Sequence, residues 1–184
     1  MRRIETSLPG LVVIEPVVHG DERGFFVESF RASALAQMGI HDHWVQDNQS
    51  RSARGVVRGM HFALPPGQAK LIRCPRGAIV DVCVDIRRGS PTYGRWDAVA
   101  LDDRGMRMLY VPVGFAHGYC VTSDVADVIY KCSDYYDPAL EREISVSDPD
   151  IGIEWPVAMP TLSKRDRDAP MLREIADTLP FVLA

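Results

Sequence analysis

Between residues 78 and 86 the side chains alternate. Ala78, Val80, Val82, Val84 and Ile86 mark one face, and Ile79, Asp81, Cys83 and Asp85 mark the other. A period of two is the pattern of a strand. Shorter alternating or β-branched runs recur at 11–18, 24–30, 55–62, 69–75, 96–101, 107–112, 117–122 and 125–132. Turn signals punctuate them, among them Pro65-Pro66-Gly67, Arg88-Gly89-Ser90-Pro91 and Pro112-Val113-Gly114. Only two segments read as helix. One is 33–38, with Ser33 as N-cap and a stop at Gly39. The other is 169–178, following Asp168 with Pro170 in its first turn. Many strands at short intervals with few helices predict an all-β fold, a barrel or sandwich of jelly-roll type with short peripheral helices. No repeat, low-complexity tract or linker divides the chain, so a single domain over 1–184 is expected.

One strand-like stretch carries charges where charges are costly. In VVRGMHFALPPGQAKL, residues 56–71, Arg58, His61 and Lys70 stand among apolar neighbours. The Pro-Pro-Gly turn is expected to fold 55–62 against 69–75 as a hairpin, setting His61 beside Lys70 on adjacent strands. Strict alternation puts Arg58 and His61 on opposite faces, and a bulge at Gly59 would reconcile them. His61 has the chemistry of a general base. Lys70 has that of a cation able to stabilise a developing oxyanion. Tyr130, in the apolar run VADVIYK, offers a weak acid with an apolar body. Each also has an ordinary reading, as a hydrogen-bonded structural histidine, a lysine reaching to water and a core tyrosine. Periodicity therefore takes the argument as far as a barrel able to house an active site.

Composition narrows the partners. The 184 residues carry a net charge of −4, so no overall basic field draws the chain to nucleic acid or an anionic membrane. An anionic ligand then requires a local cluster. Arg23 in DERGFFVESF, with Phe25, Phe26 and Glu28, is one candidate. QDNQSRS, with Gln46, Asn48 and Arg51, is another. No apolar run reaches 18 residues, and MRRIETSLPG lacks the apolar core of a signal peptide. Cys74, Cys83, Cys120 and Cys132 form no CxxC pair and sit in apolar surroundings, as buried thiols of a cytoplasmic protein do.

Metal chemistry has one foothold. Pro112-x-Gly114-x-x-His117 resembles the second conserved box of the cupin superfamily of small β-barrels. A metal-binding first box would need two histidines one residue apart and a nearby glutamate, but Phe62 and Ala63 follow His61. His41-Asp42-His43 lies in a polar stretch without a third ligand close by. The fold hint stands, no metal is expected, and a metal-dependent cupin enzyme is kept as the rival class.

DERGFFVESF, QDNQSRSARGVVRGMHF, QAKL, GSPTYGRWDAVALDD, VPVGFAHGYCV, YKCSDYYDP, DPDIGIEWP and LSKRDRDAP, in this order, resemble the dTDP-4-dehydrorhamnose 3,5-epimerase family over nearly the whole chain. The resemblance implies a cupin-like jelly-roll subunit acting as a homodimer without metal or other cofactor. It implies inversion at C3 and C5 beside the C4 ketone of dTDP-4-dehydro-6-deoxy-D-glucose, a step of dTDP-rhamnose biosynthesis. His61 would be the base and Asp166, in the LSKRD block, its orienting partner, with Asp81 a competitor for that role. Lys70 would stabilise the enolate, and Tyr130 would protonate the opposite face. Arg23, Glu28, Gln46, Asn48, Arg58, His117, Glu141 and Arg165 would contact nucleotide or sugar. Ala63 departs from the family, where glutamine is frequent two positions after the histidine. Relatives acting at C3 only or C5 only share these motifs, and a non-catalytic sugar-binding cupin is a further alternative.

Overall fold

The computed structural model describes residues 1–183. Its thirteen strands are β1 (Arg2–Glu5), β2 (Val12–Glu15), β3 (Val18–Asp21), β4 (Gly24–Val27), β5 (Gln46–Ala53), β6 (Val57–Ala63), β7 (Lys70–Arg76), β8 (Ala78–Asp85), β9 (Trp96–Asp102), β10 (Met108–Val111), β11 (Phe115–Val121), β12 (Val125–Cys132) and β13 (Glu141–Glu143). Helices α1 (Ala32–Gln37), α2 (Lys164–Arg167) and α3 (Leu172–Ile175) are short, and a 3₁₀ turn follows over Ala176–Thr178. A six-stranded sheet runs β1-β2-β10-β7-β12-β5, a five-stranded sheet runs β13-β6-β11-β8-β9, and β3–β4 is a separate hairpin. All of these named strands pair antiparallel. This is the cupin-like jelly roll that the sequence predicts.

The two sheets face each other over one apolar layer. Ile72, Leu109 and Val128 come from the larger sheet, and Ile79, Cys83 and Val121 from the smaller. The alternation of β8 is thereby explained. Its Ile79 and Cys83 close the layer between the sheets, while Val82 and Val84 pack outward under Ile144, Leu172 and Phe181 from the C-terminal segments. Outside the larger sheet, Leu35 and Ile40, in and just after α1, cover Val12, Ile14, Leu71 and Met108. Burial of each such side chain contributes roughly 1.5–3 kcal/mol, so both coverings hold their sheets firmly.

Several boundaries differ from expectation. Pro16, without an N–H to donate, splits the run 11–18 into β2 and β3. Helix α1 starts one residue earlier, at Ala32, with Arg31 as N-cap. Asp168 caps the C-terminus of α2 instead of opening 169–178, and α3 begins only after Met171. The main correction concerns the hairpin. Strands β6 and β7 do not pair; the Pro65–Gly67 turn carries the chain from the smaller sheet to the larger, where β7 lies between β10 and β12. His61 and Lys70 therefore belong to opposite walls of the barrel.

Candidate active site

The space between the sheets opens at one end into a cavity of about 370 Å³. Strand β6 delivers Arg58 and His61 to it, and both line its wall. They do so because the ladder slips. Between the pairs His117–His61 and Tyr119–Arg58, β11 advances two residues and β6 advances three, which turns both side chains to one face. Gly59 sits in this bulge at φ 147°, and a Cβ there would stand 2.6 Å from Gly118 Cα. Only glycine fits so close an approach.

His61 Nε2 lies 2.8 Å from Asp166 Oδ1. The Asp166 side chain is 4% exposed, against 27% for His61. Ser163 fixes the carboxylate's backbone by capping α2, its hydroxyl accepting from the Asp166 N–H at 3.1 Å. Burial acts to raise the Asp166 carboxyl, but His61 and Ser163 outweigh it and hold it below the usual carboxylate range. A second pair lies nearby. His117 Nε2 is 2.9 Å from Asp81 Oδ2, both buried, and burial pushes Asp81 up against the opposing pull of His117 and Lys70. Asp81 is thus the partner of His117, and Asp166 that of His61.

The facing wall supplies Lys70 and Tyr130, from β7 and β12. Lys70 is only 8% exposed and forms no ion pair within 4 Å among the described residues. An ammonium so placed is costly unless an anion meets it. Burial pushes the Tyr130 phenol up to about 12, with Cys132, Tyr119 and Glu141 adding to the effect, so it is fully protonated at neutral pH. Asn48, its cross-strand neighbour on β5, accepts a hydrogen bond from Gln46 Nε2 at 3.1 Å.

Of the remaining candidates, Arg165 lines the cavity, with its Nε 2.9 Å from Glu143, and Glu141 lies 3.9 Å from Arg165. Ala63 pairs with Glu141 across β6 and β13. Arg23 and Glu28 do not reach the cavity. Arg23 is engaged with Asp21 in the exposed β3–β4 hairpin, and Glu28 with Arg31. The sequence reading missed Ser50, Tyr119, Thr161 and Ser163, which also line the space. Only Ser163 left a trace, as a cap residue three positions before Asp166. Among the described residues no three His, Cys, Asp or Glu side chains gather to hold a metal, and Asp42 instead accepts from the Tyr110 hydroxyl at 2.7 Å. Among the described residues no helix is long and apolar enough to cross a membrane.

Residues 5–174 match the family described as dTDP-4-dehydrorhamnose 3,5-epimerase. The protein of that name from Shigella flexneri is 48% identical over 168 residues, covering 90% of this chain and 93% of its own. A dTDP-4-dehydrorhamnose 3-epimerase from Streptomyces niveus is 44% identical over 179 residues, 96% of this chain and 86% of its own. Among solved structures, a Legionella pneumophila dTDP-6-deoxy-D-glucose-3,5-epimerase in complex with dTDP-4-keto-L-rhamnose is 46% identical. It superposes with a TM-score of 0.95 over 100% of this chain and 99% of its own. With its jelly-roll walls and the residues they bring together, this chain belongs to the dTDP-4-dehydrorhamnose 3,5-epimerase family.

Proposed function

We propose that the protein inverts C3 and C5 of dTDP-4-dehydro-6-deoxy-D-glucose, giving dTDP-4-dehydro-L-rhamnose. One observation carries the reading: His61, held by Asp166, stands on one wall of the cavity, and Lys70 and Tyr130 stand on the other. Inversion beside a ketone requires proton removal from one face of the sugar and delivery to the other.

In this reading the Nε2–H of His61 is donated to Asp166, which leaves Nδ1 with the lone pair. That nitrogen takes the proton from the carbon beside C4. The electrons of the C–H bond move to the carbonyl, and the oxygen becomes an enolate. Lys70, unpaired and buried, faces that charge where it forms. Tyr130 then gives its proton to the opposite face as the carbonyl re-forms. Through water the phenolate regains a proton while the His61 imidazolium releases one, which resets both groups. In this reading His61 takes the proton, Lys70 holds the enolate charge and Tyr130 returns a proton, so the step calls for no cofactor. Arg58 neutralises the diphosphate, and His117 with Asp81, Glu141 and Arg165 holds the sugar end. Gln46 and Asn48 shape the neighbouring wall beside Tyr130.

Arg23 and Glu28 enter through a second subunit. Phe25 and Phe26 are 60% and 70% exposed on the same hairpin, beside exposed Val17 and Val18. Such a patch on a protruding ribbon fits an interface between two copies, in which each hairpin completes the partner's nucleotide site. Four buried thiols, all free, fit a reducing cytoplasmic setting.

The test is conversion of the dTDP-sugar by the purified protein, followed by proton NMR of the ring couplings. Product inverted at both C3 and C5 supports the reading. Inversion at one carbon alone would reassign the protein to the single-site epimerases.

A further inference from the structure

Two carboxylates on β13 stand within reach of one guanidinium. Glu141 and Glu143 are two residues apart on the strand, so their side chains share a face. Arg165 Nε donates to Glu143 Oε2 at 2.9 Å, and Arg165 Nη2 donates to the same oxygen. Glu141 Oε2 lies 3.9 Å from Nη2, beyond hydrogen-bond length. Its carboxylate accepts no hydrogen bond among the described residues. Arg165 lines the cavity, and Glu143 does not.

Strand register explains how Arg165 comes to Glu143. Glu143 stands opposite His61 on β6, while Glu141 stands opposite Ala63. In α2, Arg165 precedes Asp166, the residue that meets His61. Two neighbouring contacts, His61–Asp166 and Glu143–Arg165, therefore join α2 to the smaller sheet side by side. The backbone pins the segment only at its ends. Before α2, the Thr161 N–H donates to the Gly55 carbonyl at 2.9 Å. After it, the Pro170 carbonyl accepts from the Ser145 N–H at 2.8 Å.

From this the geometry points to Glu143 as a positioning residue: it holds Arg165 off Glu141, so that both groups stay open to the hexose. This rests on the nucleotide-sugar reading above, in which Glu141 and Arg165 hold the sugar end. Glu143 occupies Nε and one N–H of Nη2, and Nη1 has no partner among the described residues. Arg165 thus keeps donors for a sugar oxygen, and Glu141 keeps acceptors for a sugar hydroxyl. Without Glu143, the carboxylate already within 4 Å of the guanidinium is that of Glu141. Closing that gap would make a charge-assisted pair and withdraw both groups from the sugar at once.

The experiment compares steady-state kinetics on the dTDP-sugar with calorimetric titration by dTDP, which lacks the hexose. The full-length wild type, Glu143→Ala, Arg165→Met and the double variant are measured. The Arg165 and Glu143 side chains are 42% and 23% exposed, and pairs so placed are worth up to about fivefold. Glu143→Ala is expected to raise KM by about that factor, with kcat and the Kd for dTDP within about twofold of wild type. In the Arg165→Met background the same change should leave KM unaltered. Glu143→Met keeps the stem without the carboxylate, should match Glu143→Ala, and serves if that variant does not fold. A KM within about twofold of wild type, an equal rise in the Arg165→Met background, or a matching loss of dTDP affinity would overturn the inference alone. Wild-type protein that neither binds dTDP nor converts the dTDP-sugar would overturn the nucleotide-sugar reading and this inference with it.

Discussion

Asp166 Oδ1 meets His61 Nε2 at 2.8 Å although 105 residues separate them in the chain. The contact joins a strand of the smaller sheet to a four-residue helix laid against it. His61 and Ser163 hold the Asp166 carboxyl below the usual carboxylate range. An ionised carboxylate can only accept, so the contact orients the imidazole with Nε2 toward Asp166. Replacing His61 with alanine should lower kcat by roughly 10²–10⁴-fold. Asp166→Asn should lose part of that while KM changes little. Circular dichroism should show both variants folded. A His61→Ala variant turning over near the wild-type rate would contradict the assignment.

Tyr130 and Lys70 can be separated by what each variant leaves intact. With Tyr130→Phe the base and the enolate cation remain, so solvent hydrogen should still enter the sugar from the His61 face, with retention of configuration. Inverted product should fall by about 10²-fold or more. Lys70→Met keeps the stem but removes the charge, and both exchange and inversion should fall together. NMR of the recovered sugar reads both quantities in one experiment.

Away from the cavity, Asp85 anchors the turn after β8. Its side chain is fully buried and accepts from Arg87, Ser90 and Thr92. Burial alone would raise this carboxyl, but those bonds bring it down to about 2 from an ordinary value of 3.8. A depressed folded value means the stabilisation is present above the unfolded value and is lost as pH falls through the folded one. The shift corresponds to about 2 kcal/mol at neutral pH. Urea unfolding should therefore show Asp85→Asn less stable by at least this amount at pH 7. The gap should narrow between pH 4 and pH 2. A gap that does not change with pH would contradict it.

The proposed dimer predicts a linked loss. Phe25→Ser with Phe26→Ser should shift sedimentation from two copies toward one. It should also weaken dTDP binding, because Arg23 and Glu28 would no longer be presented to a neighbouring cavity. Weakened association with unchanged nucleotide affinity would separate the hairpin from the site.

How far the sequence revealed these features depended on where apolar side chains stood. The barrel was legible because Ile79, Val82, Cys83 and Val84 must alternate between the inter-sheet layer and the outer face. Strand β5 was not legible. Its more buried residues Gln46, Asn48, Ser50 and Ser52, of which Ser50 lines the cavity, alternate with the exposed Asp47, Gln49 and Arg51, so both faces are polar and hydropathy is silent. The Gly59 bulge followed from requiring Arg58 and His61 on one wall, and the register carries it. The hairpin expectation failed because a Pro-Pro-Gly turn shows only that the chain reverses, and a reversal between two sheets has the same local signature as one within a sheet. The pairing of His61 with Asp166 rather than Asp81 lay beyond periodicity, since both aspartates face the barrel.

Proton exchange beside the ketone is the core of this account, and it can be watched directly. Incubating the wild-type protein with dTDP-4-dehydro-6-deoxy-D-glucose in D₂O and recording NMR spectra should show deuterium entering both C3 and C5. In His61→Ala it should enter neither. Wild-type protein that inverts the sugar without deuterium at either carbon, or that neither exchanges nor inverts it, would contradict the account.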